Sequence, residues 1–286
     1  MSNQKGIGGT GPPELAALPL PELVDLALAE DVSDDRVWEI EVEIARRGLD
    51  EALPMAEELL GAEALSKRCL GAGIMRVLAG SSIEEERATA ARLLLGLIET
   101  ESDPDMLGNA AVGLGKAAEE RALEPLVRLS AHPDENVRVE VAYALPDVVR
   151  STLDERGVRA LIELSTDPDE DVRDWATFGV GVILSPEPDT PEVRRALKER
   201  TEDESFTVRC EALEGLGLRG DIPALAEALR LCDVGIDAVM VAEKAATPEL
   251  YEPLLALKSR WRPGNIEDVE QAIAACRPEQ EGENSA

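Results

Sequence analysis

The chain has 286 residues, with 59 acidic against 29 basic side chains and a net charge of −30. That balance argues against a nucleic-acid backbone or an anionic membrane surface as partner, since both need clustered lysine and arginine. A basic protein segment is the natural opposite, although charge of this size also serves solubility and the monomeric state. Aromatic residues make up 2% of the sequence, which leaves little for base stacking or an aromatic-lined cofactor pocket and predicts a core of Leu, Ala and Val.

Residues 1–12 are Gly-rich, polar and aperiodic, and are expected to be a disordered tail. They hold no apolar h-region of a secretory signal, and no apolar run reaches the roughly 20 residues that span a bilayer. Cys69, Cys210, Cys232 and Cys276 show no C-x-x-C spacing. They are therefore expected to be free thiols of a soluble, cytoplasmic protein.

From residue 13 the chain alternates short amphipathic helices with polar turns. Residues 13–30 predict a leucine-rich first helix interrupted near Pro19 and Pro21, and 31–48 its partner, with Val37, Ile40 and Ile44 inside and Gly48 as the C-terminal cap. Residues 50–60 and 62–79 predict the next pair, and 83–99 a long helix before the Asp103-Pro104-Asp105 turn. Further helices are predicted over 104–116, 122–131, 134–149, 155–165, 170–184, 191–200, 205–218 and 222–231. Pro146 is expected to bend or end its helix. The pairs close with 234–246 and 248–260, a short helix over 265–276, and a polar tail over 277–286.

One pattern recurs. In Asp167-Pro168-Asp169-Glu170-Asp171-Val172-Arg173, the proline stops the preceding helix, Asp169 is placed to cap the next, and Glu170 and Asp171 face its positive end. Val172, Ala176, Gly179 and Val180 then fall on one helical face. Residues 132–138 repeat this with His132 for the first Asp, 203–209 repeat it as Asp-Glu-Ser-Phe-Thr-Val-Arg, and 102–107 give a shorter turn. Aligned on Met106, Val137, Val172 and Val208, the copies step by 31, 35 and 36 residues. A period in the 30s with one helix pair per repeat defines an α-solenoid. The expected fold is all-α: about seven helix pairs over residues 13–276, stacked as a right-handed superhelix.

These turns resemble HEAT repeats, in particular the short HEAT-like repeats of many bacterial proteins, including those of the phycobilin lyase type. The resemblance covers roughly residues 100–220. It implies that the recurring Arg138, Arg173 and Arg209 bond to turn aspartates of adjacent repeats, a ladder in which Asp134 and Asp169 are the expected acids and Ser205 interrupts the third copy. It also implies that the second helix of each pair lines the concave surface.

The concave slots would then hold Glu140, Tyr143, Asp174, Trp175, Phe178, Glu211 and Glu214, acids around a few aromatics that suit a basic, partly apolar peptide. Trp175 and Phe178 fit equally well as packing between repeats. His132 is the only histidine and takes a turn position. A repeated His-Glu di-iron set, a Cys/His zinc site and a catalytic triad therefore all lack their residues. Gly71-Ala72-Gly73 and Gly215-Leu216-Gly217 lie in helical patterns and read as packing glycines, not phosphate loops.

No catalytic residue, metal ligand or cofactor is assigned. The expected function is a cytoplasmic protein-interaction scaffold with a basic partner. The alternatives are a phycobilin-lyase-like protein holding a bilin and a regulatory subunit of a larger complex.

Overall fold

A computed structural model of the protein describes residues 12–29, 33–150, 152–262 and 265–278. Most of the tails expected at 1–12 and 277–286 lies outside them. The described residues fold into α-helices with no strand. They form two compact units, 1–157 and 158–286.

In the first unit the helices are α1 (Pro13–Ala16), α2 (Leu20–Ala27), α3 (Asp34–Ala45), α4 (Leu49–Leu60), α5 (Leu65–Ala79), α6 (Glu84–Thr100), α7 (Pro104–Lys116), α8 (Leu123–Leu129) and α9 (Glu135–Val149). The unit boundary falls inside α10 (Glu155–Leu164). Helix α3 packs on α5, α5 on α7 and α7 on α9, which makes one layer. Helices α2, α4, α6 and α8 pack against that layer as the first members of their pairs.

The second unit continues with α11 (Glu170–Phe178), a π-helical turn (Gly179–Ile183), α12 (Pro191–Arg200), α13 (Phe206–Leu218), α14 (Ile222–Leu231), α15 (Ile236–Ala245), α16 (Tyr251–Lys258) and α17 (Ile266–Ala275). Here α11, α13, α15 and α17 form the layer, with α12, α14 and α16 beside it. Counting α10 with α11, the described helices make eight pairs where the sequence predicted about seven.

The small residues of the repeat allow these layers to pack closely. Met106, Ala110 and Leu114 on α7, Val137, Val141 and Leu145 on α9, and Val208, Ala212 and Leu216 on α13 are all buried. A methyl group added to Gly115 would lie 2.8 Å from Ala144, and one on Gly215 would lie 2.6 Å from the Cα of Gly181. Such crossings bring helix backbones together with almost no side chain between them, which explains a core built with so few aromatics.

Two expectations are corrected. Pro146 does not end α9, which runs on to Val149. It lies in the last turn, where its missing N–H removes one bond, and the Arg150 N–H closes on its carbonyl. Nor are all four cysteines free: Cys210 on α13 and Cys232 after α14 form a disulfide with Cα atoms 5.5 Å apart. Their separation of 22 residues carries no sequence signature, because only the antiparallel packing of α13 on α14 brings them together. Cys69 and Cys276 are free.

Candidate functional site

The recurring turn is held by its own arginine. Arg173 Nη1 donates to the carbonyls of Asp167 and Pro168, at 2.9 and 3.1 Å. Arg138 does the same to His132 and Pro133, and Arg209 to Asp203 and Glu204. The first turn residue adds a second lock by accepting the N–H two residues on. Asp167 and Asp203 use a carboxylate, and His132 uses Nδ1. The lone histidine thus has the turn role expected for it.

Asp134 and Asp169 cap their own helices, accepting from Asn136 and from Asp171 and Val172. The acid that Arg173 grips is Asp203, through Nε and Nη2 at 3.1 and 3.2 Å. The residue that opens the next turn is therefore the rung, not the N-cap. Burial would raise the Asp203 pKa, but hydrogen bonds from Ser205 and Arg173 outweigh it and hold the carboxyl below its ordinary range.

In the second unit the predicted stripe brings three carboxylates together. Asp174 projects from α11, and Glu211 and Glu214 from α13, which packs on α11. Burial pushes the Glu211 pKa up to about 8, helped by repulsion from Glu214 and Asp174. Asp174 is likewise raised, by burial and then by Asp171 and Glu170. One buried oxygen on Asp174 and one on Glu211 have no hydrogen-bond partner. Glu214 is raised by burial, although its Oε1 accepts the Gly235 N–H at 2.9 Å. Trp175 and Phe178, both half-buried, meet edge-on with ring centroids 6.1 Å apart. This arrangement sets three carboxyl groups beside apolar surface and leaves two buried oxygens without a donor.

Glu140 and Tyr143 lie in the first unit, half-buried on α9. Glu140 reaches over Gly108 of α7 and borders a groove of about 740 Å³ lined by α3, α5, α7 and α9 and by the C-terminal end of α2. At one end of that groove is a cluster the sequence reading missed. Glu41 occupies the space above Gly73 and accepts from Arg76 Nη2 at 2.8 Å. Arg76 and Lys116 each stand over the Trp38 ring, 4.8 and 5.1 Å from its centroid. Burial raises the pKa of Glu41 and Glu140 and lowers that of Lys116. The one available signal was a glycine in α5 and another in α7 facing a glutamate of the neighbouring helix, and α3 and α5 carry no repeat motif to align them by.

Among the described residues, Cys69, Asp103 and Asp105 hold potential ligand atoms within 4.8 Å of one another. Asp103 already caps α7, whose N-terminus repels a cation. Burial pushes the Cys69 thiol up to about 11, away from the thiolate a metal needs. No described helix is long and apolar enough to cross a membrane.

Stacked antiparallel helix pairs with latched turns define an α-helical repeat protein. A family model for HEAT repeats matches residues 90–181 and 158–246, more than half the sequence. The chain belongs to the HEAT-repeat family, whose members commonly mediate protein–protein interaction. Among solved structures, the X-ray structure of YibA from Escherichia coli is similar with a TM-score of 0.64 at 21% identity, over 92% of this chain and 93% of that one. Two engineered proteins are similar with TM-scores of 0.50 and 0.53 at 20% and 18% identity. They cover 70% and 88% of this chain, and 98% and 76% of their own. At these identities the likeness concerns the fold alone. No curated protein matches the chain by sequence.

Proposed function

We propose that the chain is a non-enzymatic scaffold or adaptor that binds a basic protein segment on the faces of its second helices. The observation that carries this reading is the group Asp174, Glu211 and Glu214. Two of its buried carboxylate oxygens lack any partner, and burial with mutual repulsion raises Glu211 to about 8. An arginine or lysine from a partner would supply the missing donors and the missing charge, in a site where a charge-assisted hydrogen bond is strong. Trp175 and Phe178 would anchor apolar residues beside it. The net charge of −30 would speed the encounter with such a partner.

The test is affinity capture from an extract of the source organism at low and high salt, with the wild type beside an Asp174→Asn/Glu211→Gln double variant. The reading expects a small set of basic proteins that is lost at high salt and lost on the variant, since screening shortens the reach of exposed charges. Capture that ignores both salt and variant overturns it. The bilin-carrier alternative gains little from the first-unit groove, whose described lining residues include no aromatic side chain, Trp38 lying beneath Arg76 and Lys116 beside it.

A further inference from the structure

We infer that the groove over α3, α5, α7 and α9 is a docking site for a peptide segment that carries arginine or lysine among apolar residues, with Glu140 receiving its cationic side chain. This rests on the reading of the protein as a binder of basic segments, and adds to the second-unit carboxylates a separate peptide site in the first unit.

Three observations argue for that occupant. The first is charge. Among the described residues, Asp34, Glu41, Asp105 and Glu140 line the groove with one lining cation, Arg76, and Arg76 is already held by Glu41 at 2.8 Å. Glu140 lies over Gly108 at the groove and, like Glu41, is raised by burial, and a further cation beside it would offset the cost of that burial.

The second observation is the wall. Val37 and Leu65 present apolar surface, and Leu65 is 41% exposed although large and hydrophobic. An apolar residue next to the cation would cover it, at about 25 cal/mol for each Å² removed from water.

The third is length and pairing. Asn109 on α7 and Asn136 on α9 also line the groove, and a side-chain amide offers a donor and an acceptor that match a peptide backbone. Four packed helices at about 9 Å spacing extend roughly 27 Å, which is spanned by roughly eight extended residues. The volume of about 740 Å³ is too small for a folded domain and fits part of one chain.

Selection of a displayed random peptide library on the full chain tests this. The chosen peptides are then measured by fluorescence anisotropy on the wild type and three variants. Asn109→Trp plugs the groove, Glu140→Gln removes the proposed charge without changing shape, and Asp174→Asn/Glu211→Gln alters the second unit. Circular dichroism and melting confirm that each variant is folded.

The inference expects peptides with Arg or Lys beside Leu, Ile or Val. Their affinity should fall tenfold or more on Asn109→Trp and on Glu140→Gln, and stay unchanged on the second-unit variant. Basic peptides that ignore both groove variants but weaken on the second-unit variant overturn the groove and leave the basic-partner reading standing. A selection that yields only acidic or neutral binders overturns both.

Discussion

Arg173 holds Asp203 across two successive turns, with both side chains almost fully buried, at 7% and 5% exposure. The same guanidinium stitches its own turn through the carbonyls of Asp167 and Pro168. One side chain therefore fixes the entry of α11 and its spacing to α13. Arg200 approaches Asp203 from the other side, at 3.5 Å, while bonding to the Ser165 carbonyl.

Removing Asp203 leaves a buried guanidinium with only the exposed Glu204 carboxylate as counter-charge. Such losses cost about 3–5 kcal/mol, mostly as the penalty of the orphaned partner. Asp203→Ala is therefore expected to lower the melting temperature strongly. Glu204 also touches Arg173, at 3.2 Å, but is 88% exposed, so Glu204→Ala should cost under about 1 kcal/mol. Equal effects of the two substitutions in urea denaturation would show that the buried rung does not carry the turn.

The disulfide gives a second handle on the same unit. Closing a loop between residues 22 positions apart removes denatured-state entropy worth about 3 kcal/mol. A reducing agent should lower the unfolding midpoint by a comparable amount, and Cys210→Ser with Cys232→Ser should reproduce the shift without reductant. A double variant as stable as the oxidised wild type would mean that packing of α13 on α14 alone sets the stability there.

Glycine substitutions should split by location. Gly215→Ala puts a methyl group 2.6 Å from the Gly181 Cα, where only backbone could move aside. The gain in helix propensity of about 1 kcal/mol should be exceeded by overpacking of about 1–3 kcal/mol or more. Gly96 lies inside α6 with nothing within 4 Å of an added methyl group, so Gly96→Ala should stabilise by up to about 1 kcal/mol. Melting curves of the two variants should move in opposite directions.

Much of this architecture is legible in the sequence because the repeat fixes both turn and face. Val172, Ala176, Gly179 and Val180 were expected on one buried stripe, and all four are buried. His132 was legible as a turn residue because it takes the place of Asp167. The rung was legible in kind but not in partner. An aspartate at an N-cap and one at the start of a turn look alike in one dimension, and only the first has its carboxylate committed to the helix that follows. The shift from α-helix to a π-turn at Gly179 has no local signal. It is tied to Arg219, which lies 38–39 residues away in sequence from the carbonyls of Gly181 and Val180 that it bonds. The cluster of Trp38, Glu41, Arg76 and Lys116 was illegible for a similar reason: its members come from three helices, none of which carries the full turn motif.

Glu211 predicts an unusual pH dependence. Its folded pKa of about 8 lies above the ordinary carboxyl value of 4.5. Below about 4.5 both folded and unfolded chains are protonated there, so the group is neutral to stability. Between about 4.5 and 8 the unfolded chain releases a proton that the folded chain keeps, so this group removes stability as pH rises, by at most about 1.4 kcal/mol per unit. Glu211→Gln has no proton to lose. The variant should match the wild type near pH 4 and become progressively more stable than it up to about pH 8. A constant difference across that range would place the Glu211 carboxyl in a solvated position.

Trp175→Ala separates the two readings of the aromatic pair. The Trp175 side chain is half-buried and meets Phe178 at 75° between ring planes, a geometry worth about 0.5–1.5 kcal/mol beyond area burial. A ring serving mainly as interface anchor loses that contact and part of its buried area on truncation, so stability should fall by about 1–2 kcal/mol and the chain should remain folded. Anchoring aromatics at interfaces cost 2 kcal/mol or more of affinity when truncated, which is a loss of roughly thirtyfold for a basic partner captured by the wild type. Cooperative unfolding of the second unit at ambient temperature would assign Trp175 to the packing between repeats instead. Unchanged affinity in a folded variant would remove the pair from the proposed interface and leave the carboxylates of α11 and α13 to act alone.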